Sequence, residues 1–395
     1  MHPLNAPVVI TAVGVRCAAG DRPLLPSRAY VGRDEAATAL GVSQVARVEG
    51  VPDDADFPDD RKGSLAWAAL ADARGAADST SGARVGLWLG TGLSSLTPDQ
   101  VRRDLFPYLV EGRFDRAAIA RDLAQDHPAP RRHQPERVGQ VLGARIGASV
   151  VETSFSACAA AAMAMGEAAR AVARGDVDVA FAGGHDSMLH PIGLLSFVIL
   201  GALSPTGGRP FDRTRDGFLI GEGAAVLRLE READARARGA RVLGRWLGSG
   251  TSVDAYNVTA PHPEGHGAAL AIRRALRDAG LQAGDVDYVN AHGTGTPVGD
   301  RAESLAVSSV LGDVPVSSFK GAIGHTIAAA GAVELALALA CFEAGELPGT
   351  VGLSEPDPEC RANILVGNVK TAPKVILSNS FGFGGQNCCV AVGAP

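Results

Sequence analysis

Cys158 stands where a β-rich run, VVETSFSA, gives way to an alanine-rich helical stretch, CAAAAMAMGEAARAVARG. A sulfur at such a junction lies near a helix N-terminus. Unpaired N–H groups and the macrodipole there favour a thiolate and lower a thiol below its free value of ~8.5. The small residues Ala157, Ala159, Ala160, Ala161 and Ala162 would leave space for a bulky thioester. Read alone, the ordinary account of this cysteine is a buried packing residue.

Two further groups carry chemistry. His292, in NAHGTGTPVGD, follows the apparent strand at 286–289, so a loop at a strand's C-terminal end presents it, with the hydroxyls of Thr294 and Thr296 beside it. Such loops hold ligands and catalytic groups in α/β proteins, and hydroxyls suit the amides of an extended substrate arm. In SSFKGAIGHTIAAAGAVE, Lys320 and His325 flank a glycine turn ahead of a helix bearing Glu334. A cation beside an imidazole lowers its proton affinity, which suits a hydrogen-bond donor to a developing enolate. The glycines of NSFGFGGQN allow backbone N–H groups to approach a ligand, as in an oxyanion site. The plain alternatives are a surface histidine, a solvent-facing lysine with a capping histidine, and a tight hairpin.

The elements that must position these groups alternate short β-rich runs with Ala/Leu-rich helical ones, an α/β pattern. VVITAVGV reads as a first strand, Gly175 as a helix stop, and VDYV echoes VDVA, a hint of duplication. Acidic PDDADFPDD reads as a solvated loop, and DHPAPRRHQPER, with Arg131, Arg132 and Arg137, as a loop or partner contact. A length of 395 residues with 46% hydrophobic content supports a large core. A net charge of -6 argues against nucleic acid and anionic membranes as partners. Glu167 and Glu334 interrupt the two alanine-rich runs, so neither reaches the ~20 apolar residues of a membrane span, and a cytoplasmic protein is expected. Six cysteines without CxxC pairs do not form a disulfide framework.

Five blocks in order, SAC, PFDRTRDGFLIGEGA, NAHGTGTPVGD, KGAIGHTIAAAG and NSFGFGGQN, resemble the elongating β-ketoacyl-acyl carrier protein synthases of the thiolase-like superfamily. The resemblance covers nearly the whole chain. It implies an α/β thiolase-like fold, five-layered αβαβα, with one half (1–245) carrying the nucleophile and a similar half (246–395) carrying the histidines, lysine and glycine loop. It also implies that Cys158 carries the acyl chain, that His292 and His325 bind the malonyl thioester and stabilise its enolate, and that Lys320 and Glu334 support them. The N–H groups of Cys158 and Phe383 would form the oxyanion hole. Thr294, Thr296, Phe197, Phe383 and Gly384 would contact substrate. No metal or cofactor is implied beyond the phosphopantetheine arm of an acyl carrier protein. The implied assembly is a homodimer, or a heterodimer with a chain-length factor.

Gly201 replaces the arginine that often precedes ALS in this family and helps contact the carrier, leaving Arg61 and Lys62 as candidates for a basic docking patch. The polar segment HQPERVGQVLG tilts the expectation toward a polyketide or polyene pathway. Three competing readings stand beside this one. A thiolase would use a C-terminal cysteine, for which Cys388 and Cys389 are candidates. A non-catalytic chain-length subunit would lack the nucleophile. A metal module could use His262 with His266, or His185 with His190.

Overall fold

Glycine stops and β-branched runs cut the chain into strand–helix units. The computed structural model describes residues 6–58, 60–75, 80, 82–92, 97–125 and 127–395. The first set of elements is β1 (Val8–Arg16), α1 (Arg61–Arg74), β2 (Val85–Thr91), α2 (Arg137–Ile146), β3 (Val150–Ser154), α3 (Ala160–Arg174), β4 (Val179–Ser187) and β5 (Glu222–Arg231). The second is β6 (Gly244–Val253), α4 (His266–Ala279), β7 (Tyr288–Asn290), α5 (Pro297–Leu311), β8 (Pro315–Ser317), α6 (Ala330–Ala344), β9 (Val375–Phe381) and β10 (Gln386–Gly393).

The strands order as β1-β5-β4-β2-β3 and as β6-β10-β9-β7-β8, one topology used twice. In both sets the first two pairings are antiparallel and the last two parallel. The sets join through β1 and β6, with Val8 opposite Trp246, and a short strand, Asn363–Ile364, extends the sheet beyond β8. Helices α3 and α6 lie between the two sheets, α1 and α2 cover one outer face, and α4 and α5 cover the other. The result is a five-layered αβαβα sandwich.

This layering explains the alanines. A helix packed between two sheets is apolar all round, and short side chains let its backbone approach both. Ala159, Ala160 and Ala161 are 0% exposed. A Cβ on Gly331 of α6 would lie 2.9 Å from Ala162 Cβ of α3. The alanines after Cys158 therefore serve packing between the layers, not access for a thioester. The stretch Ile327–Ala344 does have the length and apolarity of a membrane span, contrary to the sequence expectation, but 78% of it is buried inside the protein as a core helix.

The two irregular segments are built in as well. Asp54 and Asp56 pair with Arg145, and Phe57 is fully buried with Arg137 and Arg145 over its ring, so PDDADFPDD is not simply a solvated loop. Arg132 and His133 hold the buried Asp104, and the basic segment is used internally. Asp59 and Asp126 of these segments lie outside the described residues.

Helices α1 and α4 cross the first strand of each set at a glycine. A Cβ on Gly14 would lie 1.9 Å from Ala69 O, and one on Gly250 would lie 2.3 Å from Ala271 O. Because backbone cannot yield as a flexible side chain does, Gly14→Ala should destabilise the protein by about 3 kcal/mol or more. Denaturant titration checks this; an unchanged midpoint would show that the crossing has room for a methyl group.

Candidate active site

Both central helices begin in the same way. After β3 the chain turns through Ala157, a non-glycine residue at φ 46°, into a one-turn 3-10 segment, Ala157–Ala159, that carries Cys158 and runs into α3. After β8 it passes through Lys320 and His325, turns through Ile327 at φ 52°, and enters α6 from the matching segment Ile327–Ala329. The duplication thus sets the two helix starts against each other, and His325 Nε2 comes within 3.2 Å of Cys158 Sγ.

Backbone contacts fix the histidines. The Ile327 N–H donates to His325 Nδ1 at 3.3 Å, which places the proton of the neutral ring on Nε2, facing the sulfur. His292 follows β7 in a loop clamped by Glu303 of α5, whose carboxylate accepts from the N–H groups of His292 at 2.8 Å and Gly293 at 2.7 Å. Asn379 of β9 donates to the same carboxylate at 3.0 Å. The two imidazole rings meet edge to face, with centroids 5.2 Å apart.

Behind them lies a buried ion pair. Lys320 Nζ donates to Glu334 Oε1 at 2.5 Å, and both side chains are 1% exposed. Asn290 donates to the other Glu334 oxygen at 3.3 Å. Neither charged residue lines the cavity, so they act on the histidines through the field.

Burial and the Lys320 ammonium hold both His292 and His325 well below the ordinary imidazole range, which keeps them neutral near pH 7. The thiol runs against the sequence expectation. Burial pushes Cys158 up to about 12, a cost that outweighs the lowering by Lys320 and by the Phe383 N–H, while Asp186 raises it further. At rest Cys158 is a thiol.

A cavity of about 100 Å³ opens onto this centre, lined by Cys158, His292, His325, Thr294, Thr296, Phe197 and Phe383. The hydroxyls of Thr294 and Thr296 lie 3.0 Å apart, and Phe197 packs edge to face on Phe218, which does the same to His325. Gly384 is the exception among the expected contacts. Its N–H donates to Val258 O at 2.7 Å and it does not line the cavity, so it shapes the loop. Phe218, Glu303 and Asn290 were missed in the sequence. For Glu303 there was a signal, since it follows Asp300 by one helical turn and shares a face with it.

Other candidates fall elsewhere. Lys62 is 2% exposed and Arg61 donates to the Val48 and Val51 carbonyls, so the pair forms no docking patch. Cys388 and Cys389 are fully buried in β10, as packing residues. His185 is buried in β4, and His262 stacks on His266. The reactive atoms of Cys158, His292 and His325 lie within 4.8 Å of one another, a spacing a metal could use. The Ile327 N–H opposes this, because a proton on Nε2 occupies the lone pair that a metal would take.

The duplicated αβαβα sandwich with a cysteine and two histidines at its centre is the thiolase-like fold. Family comparison agrees with the geometry. Residues 64–235 match the β-ketoacyl synthase N-terminal domain, and residues 243–354 match its C-terminal domain. The chain belongs to the β-ketoacyl synthase family. It is 40% identical over 249 residues to 3-oxoacyl-[acyl-carrier-protein] synthase 2 of Synechocystis sp., a match covering 60% of each chain. It is 39% identical over 253 residues to the enzyme of that name from Mycobacterium tuberculosis, covering 62% of this chain and 61% of the relative. The match thus spans about three fifths of the length of these curated relatives.

Solved structures resemble the whole chain. A β-ketoacyl synthase from Burkholderia phymatum superposes with a TM-score of 0.86 at 29% identity, covering 99% of this chain and 100% of the other. The ishigamide ketosynthase/chain length factor gives 0.82 at 28%, covering 99% of both chains. A type II polyketide acyl-carrier protein in complex with its hexaketide-bound ketosynthase gives 0.85 at 25%, covering 100% of both chains.

Two measurements test the site. Iodoacetamide labelling of Cys158 should keep accelerating through pH 10, since the folded thiol titrates near 12; a plateau below pH 8 would mean that the helix start and the Phe383 N–H outweigh burial. Lys320→Ala leaves Glu334 as an uncompensated buried charge, and should cost about 3–5 kcal/mol in chemical denaturation. Lys320→Met combined with Glu334→Leu should cost much less, and equal losses would argue against the ion pair as the cause.

Proposed function

We propose that this chain is a β-ketoacyl-[acyl carrier protein] synthase, catalysing decarboxylative Claisen condensation of a Cys158-bound acyl chain with a malonyl thioester. The observation that carries the reading is the His325 Nε2–H set 3.2 Å from Cys158 Sγ, with Nδ1 already accepting the Ile327 N–H. An imidazole held in this way donates; it is not a base.

In the first step the Cys158 sulfur attacks the acyl thioester of the carrier protein, the carrier's thiol leaves with the proton, and an acyl-cysteine remains. The N–H groups of Cys158 and Phe383 hold the oxyanion of the tetrahedral intermediate. In the second step the malonyl thioester carbonyl accepts from His292 and His325. The bond to the carboxylate breaks, carbon dioxide leaves, and the electron pair becomes an enolate that the two neutral imidazoles stabilise. Its carbon attacks the acyl-cysteine carbonyl, the sulfur leaves as a thiolate that takes a proton from water to restore the thiol, and the β-ketoacyl product stays on the carrier. Carbon dioxide loss supplies the carbanion, so the reaction calls for no metal or redox group. Thr294 and Thr296 suit the amides of the phosphopantetheine arm, while Phe197 and Phe383 flank the acyl side.

The functional halves are taken as 1–245 and 246–395, a division that falls within the first residues of β6, Gly244–Val253. The partners are an acyl carrier protein and a second subunit, and the compartment is the cytoplasm. The edge strand β3 leaves Val151 36% exposed and the following Phe155 52% exposed, which suits pairing with another chain. A catalytic subunit that depends on a chain-length factor is a second reading, favoured by the likeness to the ishigamide pair. A polyketide or polyene substrate is preferred to a saturated one, and exclusive use of saturated chains in a panel of carriers would reverse that preference.

Intact-mass analysis of the chain with acyl- and malonyl-carrier protein tests the function. Cys158→Ala should take up no acyl group. His325→Ala should lose malonyl decarboxylation by about 10²–10⁴-fold while self-acylation falls far less. Equal loss of both steps would contradict the division of roles, and acylation without product by the native chain alone would favour the partner-dependent reading.

A further inference from the structure

Ala328 stands in the second helix start where Cys158 stands in the first, and the two backbones meet different neighbours. The Cys158 N–H sits beside Gly382, where a Cβ would come within 3.1 Å of it, on the cavity side. The Ala328 N–H instead donates to Asp186 Oδ2 at 3.2 Å, and the Ser187 N–H donates to the same carboxylate. The second half thus carries its own anion where the first half leaves a hole for a substrate oxygen.

Asp186 is 0% exposed near the end of β4, and its Oδ1 has no hydrogen-bond partner. A Cβ on Gly92 would lie 2.4 Å from Oδ2, so the glycine leaves the carboxylate its place. Among the described residues three titratable groups act on it or feel it: Lys62 of α1, Asp60 just before that helix, and Cys158 across the paired helix starts; His185 precedes it in β4 and projects to the opposite face of the strand.

We propose that Asp186 is a positioning residue for the condensation, holding the Ala328 turn so that the Ile327 N–H meets His325 Nδ1, with a buried carboxylate that disfavours a second anion on Cys158 across the paired helix starts. The inference rests on the ketosynthase reading for its effect on turnover. Its geometric part does not. Ile327 is β-branched and sits at φ 52°, a conformation that persists only where neighbours hold it. The Ala328 N–H bond to Asp186 is applied at the next residue. If that bond is lost the turn relaxes, Nδ1 loses its donor, and the Nε2 proton is no longer fixed toward the sulfur. The charge acts separately. Burial and Asp60 raise the carboxyl to about 6 against the lowering by Lys62, so the group is mostly ionised at pH 7 and disfavours a second anion on Cys158.

Two variants separate these effects. Asp186→Ala should lower malonyl decarboxylation about tenfold or more, with self-acylation changed by no more than about threefold, as expected when an orienting contact to a histidine is lost. Asp186→Asn keeps an oxygen for the Ala328 N–H and should recover most of the decarboxylation. Lacking the charge, it should label with iodoacetamide several-fold faster than the native chain at pH 8. Equal decarboxylation by the two variants, or labelling of Asp186→Asn at the native rate, would overturn the proposal. If Asp186→Ala does not fold, labelling of the Asn variant decides alone. Labelling needs no carrier protein, so a native chain that takes up no acyl group from any carrier would sink the ketosynthase reading while leaving the labelling result to judge Asp186.

Discussion

Most of the site depends on which nitrogen of His325 holds the proton, and one backbone N–H settles that. With Ile327 donating to Nδ1, the ring is a donor at Nε2 as long as it stays neutral, and burial beside Lys320 keeps it neutral. An imidazole free to take either tautomer could serve as a base or a metal ligand as readily as a donor. The backbone bond removes those options, and it exists because Ile327 adopts a left-handed conformation at the start of α6. That conformation belongs to the fold, since Ala157 has it at the start of α3. The chemistry is therefore anchored in the duplication.

The duplication also divides the work. Each half ends its third strand in the same turn and feeds the same 15-residue central helix. One turn presents Cys158, whose N–H lies beside Gly382 of the cavity wall; the other presents His325, and there the Ala328 N–H is closed off by Asp186. Both turns lie where the helices pass between the sheets, a place dry enough to hold the imidazoles neutral and the Lys320–Glu334 pair intact. Dryness favours neutral donors and disfavours a resting thiolate.

Much of this was legible in the sequence, for physical reasons that differ by element. The strand and helix around Cys158 were readable because VVETSFSA is β-rich and Gly175 stops the helix in a left-handed C-cap at φ 79°. Cys158, His292, Lys320 and His325 could be picked out because glycines and alanines around them mark turns and close approaches. The purpose of the alanines was not readable. Small residues look the same whether they admit a substrate or let two helices touch, and only the layering separates the two. Nor was the burial of Lys62, because α1 carries it on the face turned to β2 and a charged residue in a sequence reads as surface.

The thiol shows most clearly why local rules were insufficient. A cysteine at a helix start ought to be acidic, and the Lys320 ammonium and the Phe383 N–H do favour the anion. Those contributions compete with desolvation by two sheets and two helices, and with an acidic neighbour that only the fold brings close. Desolvation grows with every layer that buries the sulfur, whereas a helix dipole acts from a single terminus, so burial wins. In the proposed reaction a thioester carbonyl entering the cavity would change the balance: the negative charge leaving sulfur would pass to an oxygen held by the N–H groups of Cys158 and Phe383, and the anion need not persist on the buried thiol. On the proposed reading such a site keeps its nucleophile quiet until the substrate itself supplies a better place for the charge.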